Sequence, residues 1–137
     1  MWTKRSSGKP NVVSQEIRHL VPGKMYSVRM ITGDYQEVTG GKAVSEKHAV
    51  SLSVSGAELA ADRCFDCVAP RSVGTDSYEF RSNMPRVLLN YHYRLFRATG
   101  RNARLTLSDW ADANSPGGPI GQELMYNSVE VQPYFEE

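Results

Sequence analysis

Apolar and polar residues alternate along several segments of this chain, without the three-to-four-residue spacing of an amphipathic helix. A period of two is typical of β-strands that bury one face and expose the other. The strongest segment is residues 87–96, and further segments in the last third of the chain are residues 96–100, 104–110 and 127–131. The pattern therefore predicts strands that pair into antiparallel sheets.

Weaker alternation elsewhere predicts the remaining strands. They are residues 12–20, 25–31, 49–54, 64–68 and 77–80. The sequence Val-Pro-Gly-Lys at 21–24 predicts a turn between the first two of these. Residues 33–42 hold three glycines and 57–62 are too few for a stable helix, so both predict loops. Since a sheet must bury its apolar face against another layer, we expect an all-β fold, an antiparallel β-sandwich of jelly-roll type.

The length of 137 residues fits one domain. A domain of this size buries roughly two-thirds of the surface of its unfolded chain, so it needs neither disulfides nor metal to fold. Residues 1–11 are polar and predict an extended lead-in, and residues 12–137 predict a single β-sandwich domain. Because Trp2 follows the start directly and the last strand ends close to the terminus, we expect a domain excised from a larger parent protein.

The charges are balanced. Sixteen Lys and Arg residues face fifteen Asp and Glu residues, for a formal net charge of +1. This balance favours neither nucleic acid nor an anionic membrane surface as a partner. No apolar stretch is long enough to cross a bilayer, and the first residues lack the apolar run of a signal peptide.

The two cysteines, Cys64 and Cys67, have the spacing of thiol redox sites and of half a zinc site. A redox pair usually opens a helix in a βαβ unit, and a structural zinc ion needs four ligands. The sequence shows no βαβ unit around the cysteines. It shows no second pair of zinc ligands either, because the histidines are scattered singly at His19, His48 and His92. Three interpretations stay open: ordinary partly buried thiols, a local disulfide, and metal binding.

Several motifs resemble a known superfamily. Gln15 and residues 19–28 (HLVPGKMYSV), residues 93–98 (YRLFRA), 105–107 (LTL) and 127–131 (NSVEV) are similar to the hairpin and closing strands of galactose-binding-domain-like jelly rolls. These include many carbohydrate-binding modules attached to polysaccharide-degrading enzymes. The resemblance implies a non-catalytic module that targets an attached enzyme to polysaccharide. The alternative is a structural β-sandwich that packs against another domain or protein without a sugar ligand.

The same resemblance implies a structural calcium site, with two departures in this chain. The acidic segment that often precedes the first strand is missing. Asn127 stands where relatives often carry Asp before the last motif, and it offers a carbonyl oxygen without charge. Asn127 and Glu123 are the candidate metal ligands.

The strand near residues 89–95 holds the first candidate sugar site. A pyranose has an apolar C–H face and a rim of hydroxyls, so it fits an exposed aromatic ring flanked by polar groups. Tyr91 and Tyr93 share one face of this strand, and Asn90, His92 and Arg94 share the other. If the tyrosines are exposed they are stacking platforms. If they are buried, the polar stripe can bind hydroxyls or a uronate; alternatively, the tyrosines pack in the core.

Further candidate ligand-binding residues lie in loops. Trp110 ends a strand beside Asp109, and Tyr35 lies next to Gly33-Asp34. A tryptophan at a strand end can bind a ligand or can plug the end of a sandwich. Trp2 is a further candidate for an exposed ring.

The sequence predicts no enzyme. A glycosidase needs two opposed carboxylates, and the acidic residues show no distinguishing spacing. Neither a Gly-x-Ser-x-Gly elbow nor a recognisable Ser-His partnership is found. We therefore expect a binding protein whose partners are polysaccharides or oligosaccharides and the neighbouring domains of a secreted parent, in an extracellular or periplasmic location.

Overall fold

The structure is a computed structural model that describes residues 1–40, 47–68 and 89–135. These residues form nine strands, one short helix and a 3₁₀ turn at Ala61–Arg63. The strands are β1 (Trp2–Lys4), β2 (Val12–Ile17), β3 (Met25–Asp34), β4 (Ser51–Ser55), β5 (Ala57–Leu59), β6 (Phe65–Val68), β7 (Asn90–Ala98), β8 (Ala103–Ser108) and β9 (Glu123–Pro133), and the helix is α1 (Tyr35–Gly40).

The strands form two sheets, and every pairing is antiparallel. The six-stranded sheet has the order β1-β9-β3-β7-β5, and β6 pairs with β7 beside β5. The three-stranded sheet has the order β2-β8-β4. The two-sheet arrangement confirms the predicted all-β sandwich, while its assignment to the jelly rolls stays a prediction.

The apolar core lies between the two sheets. The six-stranded sheet contributes Tyr26, Val28 and Met30 from β3, and the three-stranded sheet contributes Leu105 and Leu107 from β8. These residues follow one another at every second position, as expected for strands with one buried face. We call the opposite surface of the six-stranded sheet the outer face.

The direction of the β7 side chains follows from its pairing with β3. The register runs without interruption, so no bulge changes the alternation along β7. Phe96 lies in the core, and His92 and Arg94 therefore also point between the sheets. Tyr91 and Tyr93 lie half-buried on the outer face.

A bulge interrupts β9 instead. The register between β3 and β9 shifts between Arg29 and Ile31, where β9 carries one extra residue. Leu124 and Tyr126 face the core before the bulge, and Val131 packs against the core after it. The bulge thus lets both halves of this long strand bury apolar side chains.

Two segments predicted as loops contain regular structure. Within residues 33–42, β3 continues to Asp34 and the α1 helix follows. The Asp34 carboxylate accepts hydrogen bonds from the backbone N–H groups of Gln36 (2.9 Å) and Glu37 (3.2 Å), which stabilises the first turn of this helix. Within residues 57–62, β5 pairs with the end of β7. The local sequence of such short elements carries little signal, because tertiary pairing stabilises them.

The predicted strands that fall on described residues each overlap an observed strand, with different ends. The predicted turn at 21–24 is observed, with Lys24 N–H donating to Val21 C=O at 3.0 Å and Gly23 at φ 87°. Its positive φ suits glycine. The predicted strand at 77–80, residues 87–88 of the predicted strand 87–96, and residues 41–42 of the predicted loop lie outside the described residues.

The N-terminal segment belongs to the sandwich. Within the predicted lead-in at 1–11, β1 pairs with β9 at the edge of the six-stranded sheet, and the Arg5 side chain is buried. In the described part of the chain, no helix is long and apolar enough to cross a membrane.

Candidate functional site

An open depression of about 600 Å³ lies on the outer face, at the β1–β9 edge of the six-stranded sheet. Its lining comprises Met1, Trp2, Tyr35, Glu123, Met125, Tyr126 and Asn127. This volume is within the usual range for small-molecule sites. Three residues predicted from sequence as ligand-binding or metal-binding, Tyr35, Glu123 and Asn127, meet here.

Strand pairing brings these residues together from distant parts of the chain. Trp2 on β1 lies opposite Met125 on β9. Glu123, Met125 and Asn127 alternate along β9, so all three face the same side of the sheet. Tyr35 directly follows β3, the other neighbour of β9, and begins α1.

The two aromatic rings form two walls of the depression. Trp2 is 53% exposed and Tyr35 is 42% exposed. Their centroids are 6.4 Å apart and their planes meet at 70°. A flat ligand stacked on one ring would therefore contact the other ring from the side, which suits a compact ring-shaped ligand better than a flat protein surface.

Polar groups surround these rings. The Glu123 carboxylate accepts a long hydrogen bond of 3.4 Å from the Gln36 side-chain amide. Asn127 is exposed and supplies both an amide donor and a carbonyl acceptor. The depression therefore combines aromatic surface with the donors and acceptors that hydroxyl groups require.

The predicted tyrosine pair lies elsewhere on the same face. Tyr91 is in register with Ile31, which is in turn in register with Asn127. Tyr93 stacks on Phe65, with centroids 5.2 Å apart and planes at 17°. Both predicted tyrosines thus share the outer face with the depression, although neither of them lines it.

The predicted polar stripe on β7 points inward. Asn90 and His92 are buried, and the Arg94 side chain is almost so. Their polar atoms bond to protein groups: Asn90 Oδ1 accepts from His48 N–H (2.8 Å) and Arg94 Nε donates to Leu52 C=O (2.9 Å). These three side chains are inaccessible to a sugar because the uninterrupted β3–β7 register turns them into the sandwich.

A buried hydrogen-bonded chain, which could not be predicted from the sequence, runs through this stripe. His48 Nδ1 lies 2.8 Å from Thr32 Oγ1, which lies 2.9 Å from His92 Nε2. His92 Nδ1 lies 2.7 Å from Asp66 Oδ1, and Asp66 also accepts from Arg94 Nη2. We call these five residues the buried polar chain.

Part of the buried polar chain has the connectivity of a hydroxyl-histidine-carboxylate triad. Thr32 is 0% exposed and His92 is 1% exposed, so no substrate can reach the hydroxyl in this structure. The Thr32 oxygen is also engaged by His48. In this structure the arrangement pairs buried polar groups with one another, which stabilises them inside the sandwich.

One hydrogen-bond direction in this chain follows from the chemistry of its acceptor. The ionised Asp66 carboxylate can only accept, so His92 Nδ1–H donates to it. The direction of the two hydrogen bonds at the Thr32 hydroxyl depends on the tautomers of His48 and His92. Burial opposes ionisation of Asp66, but the hydrogen bonds from His92 and Arg94 outweigh it and hold the pKa of Asp66 below its ordinary value.

Burial lowers the pKa of His48 from 6.5 to about 4. Asp34 opposes this shift, whereas His92 and Arg5 reinforce it through charge repulsion. His48 is therefore neutral in the folded protein at neutral pH.

The remaining candidates on the β8–β9 loop are also buried. Trp110 is 7% exposed and its indole N–H donates to Ser6 C=O at 2.9 Å. Asp109 is fully buried and accepts from both Asn11 N–H and the Asn11 side-chain amide. This is the arrangement of a ring that plugs the end of a sandwich, so neither side chain is accessible to a ligand here.

The candidate calcium ligands do not fit a shared ion. Glu123 and Asn127 are four residues apart on β9, about 13 Å along the strand, whereas calcium needs six or more oxygens at 2.3–2.6 Å. Within the described ranges, no group of three or more His, Cys, Asp or Glu residues could hold a metal.

Cys64 and Cys67 are free thiols, both partly buried. The Cys64 thiol donates to Ala60 C=O at 3.3 Å. Cys67 is in register with Tyr91 on the outer face. These positions match the ordinary-thiol interpretation of the pair.

Phe65 is an exposed ring that the sequence analysis does not identify as a candidate, whereas Trp2 is a predicted exposed ring. Phe65 is 50% exposed. The sequence pattern that could have identified Phe65 is the alternation of its strand. If that strand pairs with the one that holds Tyr93, Phe65 lies on the same face as Tyr93. Without the pairing partner, which is not local in sequence, the argument cannot be completed.

Comparison with known proteins adds no identification. No protein-family model, curated protein or solved structure matches this chain. The resemblance to galactose-binding-domain-like jelly rolls therefore stays a prediction, and function has to be argued from the geometry of the outer face.

Proposed function

We propose that this protein is a non-catalytic carbohydrate-binding module that brings an attached enzyme to polysaccharide. The observation that carries the proposal is the depression in which the exposed rings of Trp2 and Tyr35 meet Glu123 and Asn127. Stacking of a sugar's C–H face on one ring, with hydroxyls bonded to carboxylate and amide, uses each of these groups. The proposal includes an extracellular or periplasmic location within a secreted parent.

The site proposed here differs from the one predicted on β7. Tyr35 is retained from the sequence prediction, and Glu123 and Asn127 change role from metal ligands to hydroxyl partners. Trp2 supplies the larger exposed ring. Affinity from one such depression would be modest, since few contacts offset the cost of association.

A docking sandwich is the second candidate, and a separate surface favours it. Val13 and Val129 are exposed and line a smaller recess of about 150 Å³ beside the edge strand β2. Val12 is also exposed, on the opposite face of the same strand. Exposed apolar side chains grouped at an open edge can mark a contact with another protein or domain.

The first test is retention on insoluble polysaccharides. The folded protein is incubated with cellulose, chitin, xylan and mannan, and with the uronate polymers alginate and polygalacturonate. We expect retention on at least one polymer. Trp2→Ala and Tyr35→Ala should each weaken it about tenfold, the equivalent of 1.4 kcal/mol, which is within reach of one aromatic contact.

The matched control is Phe135→Ala, which removes an 84% exposed ring that is not part of the depression. It should bind like the unchanged protein. Thermal melting of every variant separates lost contacts from lost folding. Wild-type retention on none of the polymers, or unchanged binding in both depression variants, would contradict the proposal.

A further inference from the structure

The outer face continues beyond the depression as a row of side chains across the sheet. Two cross-strand rows follow from the register. One runs Asn127, Ile31, Tyr91, Cys67, and the other runs Glu130, Arg29, Tyr93, Phe65. Because neighbours in antiparallel register share a face, all eight side chains lie on the outer face.

A second exposed aromatic surface lies at the end of the second row. Phe65 on β6 is half exposed and lies nearly parallel to Tyr93, at 5.2 Å. The pair presents a ring face at the opposite edge of the sheet from Trp2. Four strand spacings separate β1 from β6, about 19 Å across the strands. The register places Trp2 level with Gly33 and Phe65 level with Arg29, an offset of about 13 Å along the strands, so the two aromatic surfaces are about 23 Å apart.

Both polar and apolar side chains lie between these aromatic surfaces, the apolar ones being the half-buried Ile31 and Tyr91. Arg29 and Glu130 are both about half exposed and lie 3.6 Å apart, and Arg29 also donates to the Gln132 side-chain carbonyl at 3.3 Å. Asn127 completes this middle region. Exposed rings at both ends, with polar groups among the side chains between them, offer stacking surfaces and hydroxyl partners to a chain of linked sugars.

The charges of this face are matched in pairs. Lys4 lies opposite Glu123, Arg29 opposite Glu130, and Arg97 opposite Glu58. Among the described residues, each of these three cations thus lies in register with an anion on the neighbouring strand, so the three pairs add no net positive charge that would attract a polyanion.

We propose that the outer face binds an extended, neutral polysaccharide chain that runs across the strands, from the Trp2–Tyr35 depression to the Phe65–Tyr93 pair. This inference rests on the proposed function and names its ligand class. A terminal sugar would occupy the depression alone, whereas a chain contacts both aromatic surfaces and gains affinity with length.

The test compares disaccharides with hexasaccharides of the cello-, xylo-, manno- and chito- series by calorimetry, together with polygalacturonate. We expect the dissociation constant to fall about tenfold from the disaccharide to the hexasaccharide in one neutral series, as one added aromatic contact would give. Phe65→Ala should abolish this gain and leave disaccharide binding unchanged. Trp2→Ala should weaken both ligands, and Phe135→Ala neither.

The outcomes separate the two proposals. Equal affinity for short and long ligands, or a full gain with length in Phe65→Ala, would overturn the extended site while the depression stands. Preference for polygalacturonate over the neutral series would overturn the neutral ligand class. Absence of binding to every glycan by the folded wild-type protein would overturn the proposed function and the extended site with it.

Discussion

Arg5 connects the N-terminal segment by hydrogen bonds to the β8–β9 loop and to the residues before β4. Its guanidinium is 1% exposed and donates to the carbonyl groups of Ala49 (2.6 Å), Asp109 (2.7 Å) and Pro119 (3.0 Å). Burial lowers the pKa of Arg5, with Asp109 partly compensating, and a buried cation is tolerated only when its donors are satisfied in this way. The arginine therefore sets the shape of the loop around it.

Gly118 lies against this arginine, and its substitution tests how tightly the region is packed. A Cβ at Gly118 would lie 2.7 Å from the Ala49 Cβ and 3.0 Å from Arg5 Nη1. Gly118→Ala should lower the free energy of unfolding by about 1–3 kcal/mol, as overpacking does. Denaturant unfolding measures this change.

Gly100→Ala is the control, because a Cβ there would meet no heavy atom within 4 Å in the described part of the chain. The control should stay within about 0.5 kcal/mol of the unchanged protein. Equal stability of the two variants would show that the loop rearranges freely around Arg5.

Single residues also mark the limit of sequence interpretation. The alternation placed Tyr91 and Tyr93 on one face, and the structure agrees. Which face meets solvent depends on the partner strands, which are not local in sequence. Trp110 is similar, because a tryptophan at a strand end can either stack on a ligand or close the end of the sandwich. The hydrogen bond from its indole N–H to the Ser6 carbonyl, which favours the second role, is not visible in the sequence.

At the scale of elements, strong alternation predicted strands correctly, whereas short elements could not be predicted. β3, β7 and β8 each follow an alternating segment, because half-buried strands impose that pattern directly. β5 and α1 were missed, since each is fixed by contacts with other strands rather than by its own sequence. The bulge in β9 was likewise invisible, although it decides which side chains of the last motif face outward.

The buried polar chain connects elements across the sandwich and makes stability dependent on pH. In the unfolded chain His48 takes up a proton near pH 6.5, whereas in the folded protein it resists protonation until about pH 4. Between these values the unfolded state binds more protons, so the free energy of unfolding falls as the pH is lowered. The loss should approach at most about 3 kcal/mol.

Substitution of His48 isolates this effect. His48→Asn should flatten the decrease in the free energy of unfolding between pH 6.5 and 4, measured by urea unfolding at several pH values. His19→Asn is the matched control at an exposed position with φ 63°, which asparagine tolerates. The control should keep the wild-type slope. An unchanged slope in His48→Asn would assign the pH dependence to other groups.

At the scale of the whole molecule, the candidate site depends on strand order. Trp2, Tyr35 and Glu123 come from the start, the first third and the end of the chain, and they meet because β9 pairs with both β1 and β3. The sequence supplied the residue types and the need for a ring flanked by polar groups. It could not supply the meeting point, because pairing between distant strands is set by the complete fold.

The proposed binding module would act by tethering. Fusion of this chain to a hydrolase of the polymer identified by retention should raise the rate on that insoluble polymer about tenfold at low enzyme concentration, since binding raises the local concentration of enzyme. The rate on soluble disaccharide substrates should not change, because tethering leaves the chemistry of cleavage unaltered.

The matched fusion carries Trp2→Ala and Tyr35→Ala together, and initial rates of both fusions are compared at equal concentration. If tethering through the depression is the cause, the double variant loses the gain on insoluble polymer and keeps the full rate on soluble substrate. An equal gain in both fusions would mean that the sandwich helps its partner by another route, such as stabilising contact between domains. The face to examine would then be the exposed valines beside β2, because they offer the apolar surface that such a contact requires.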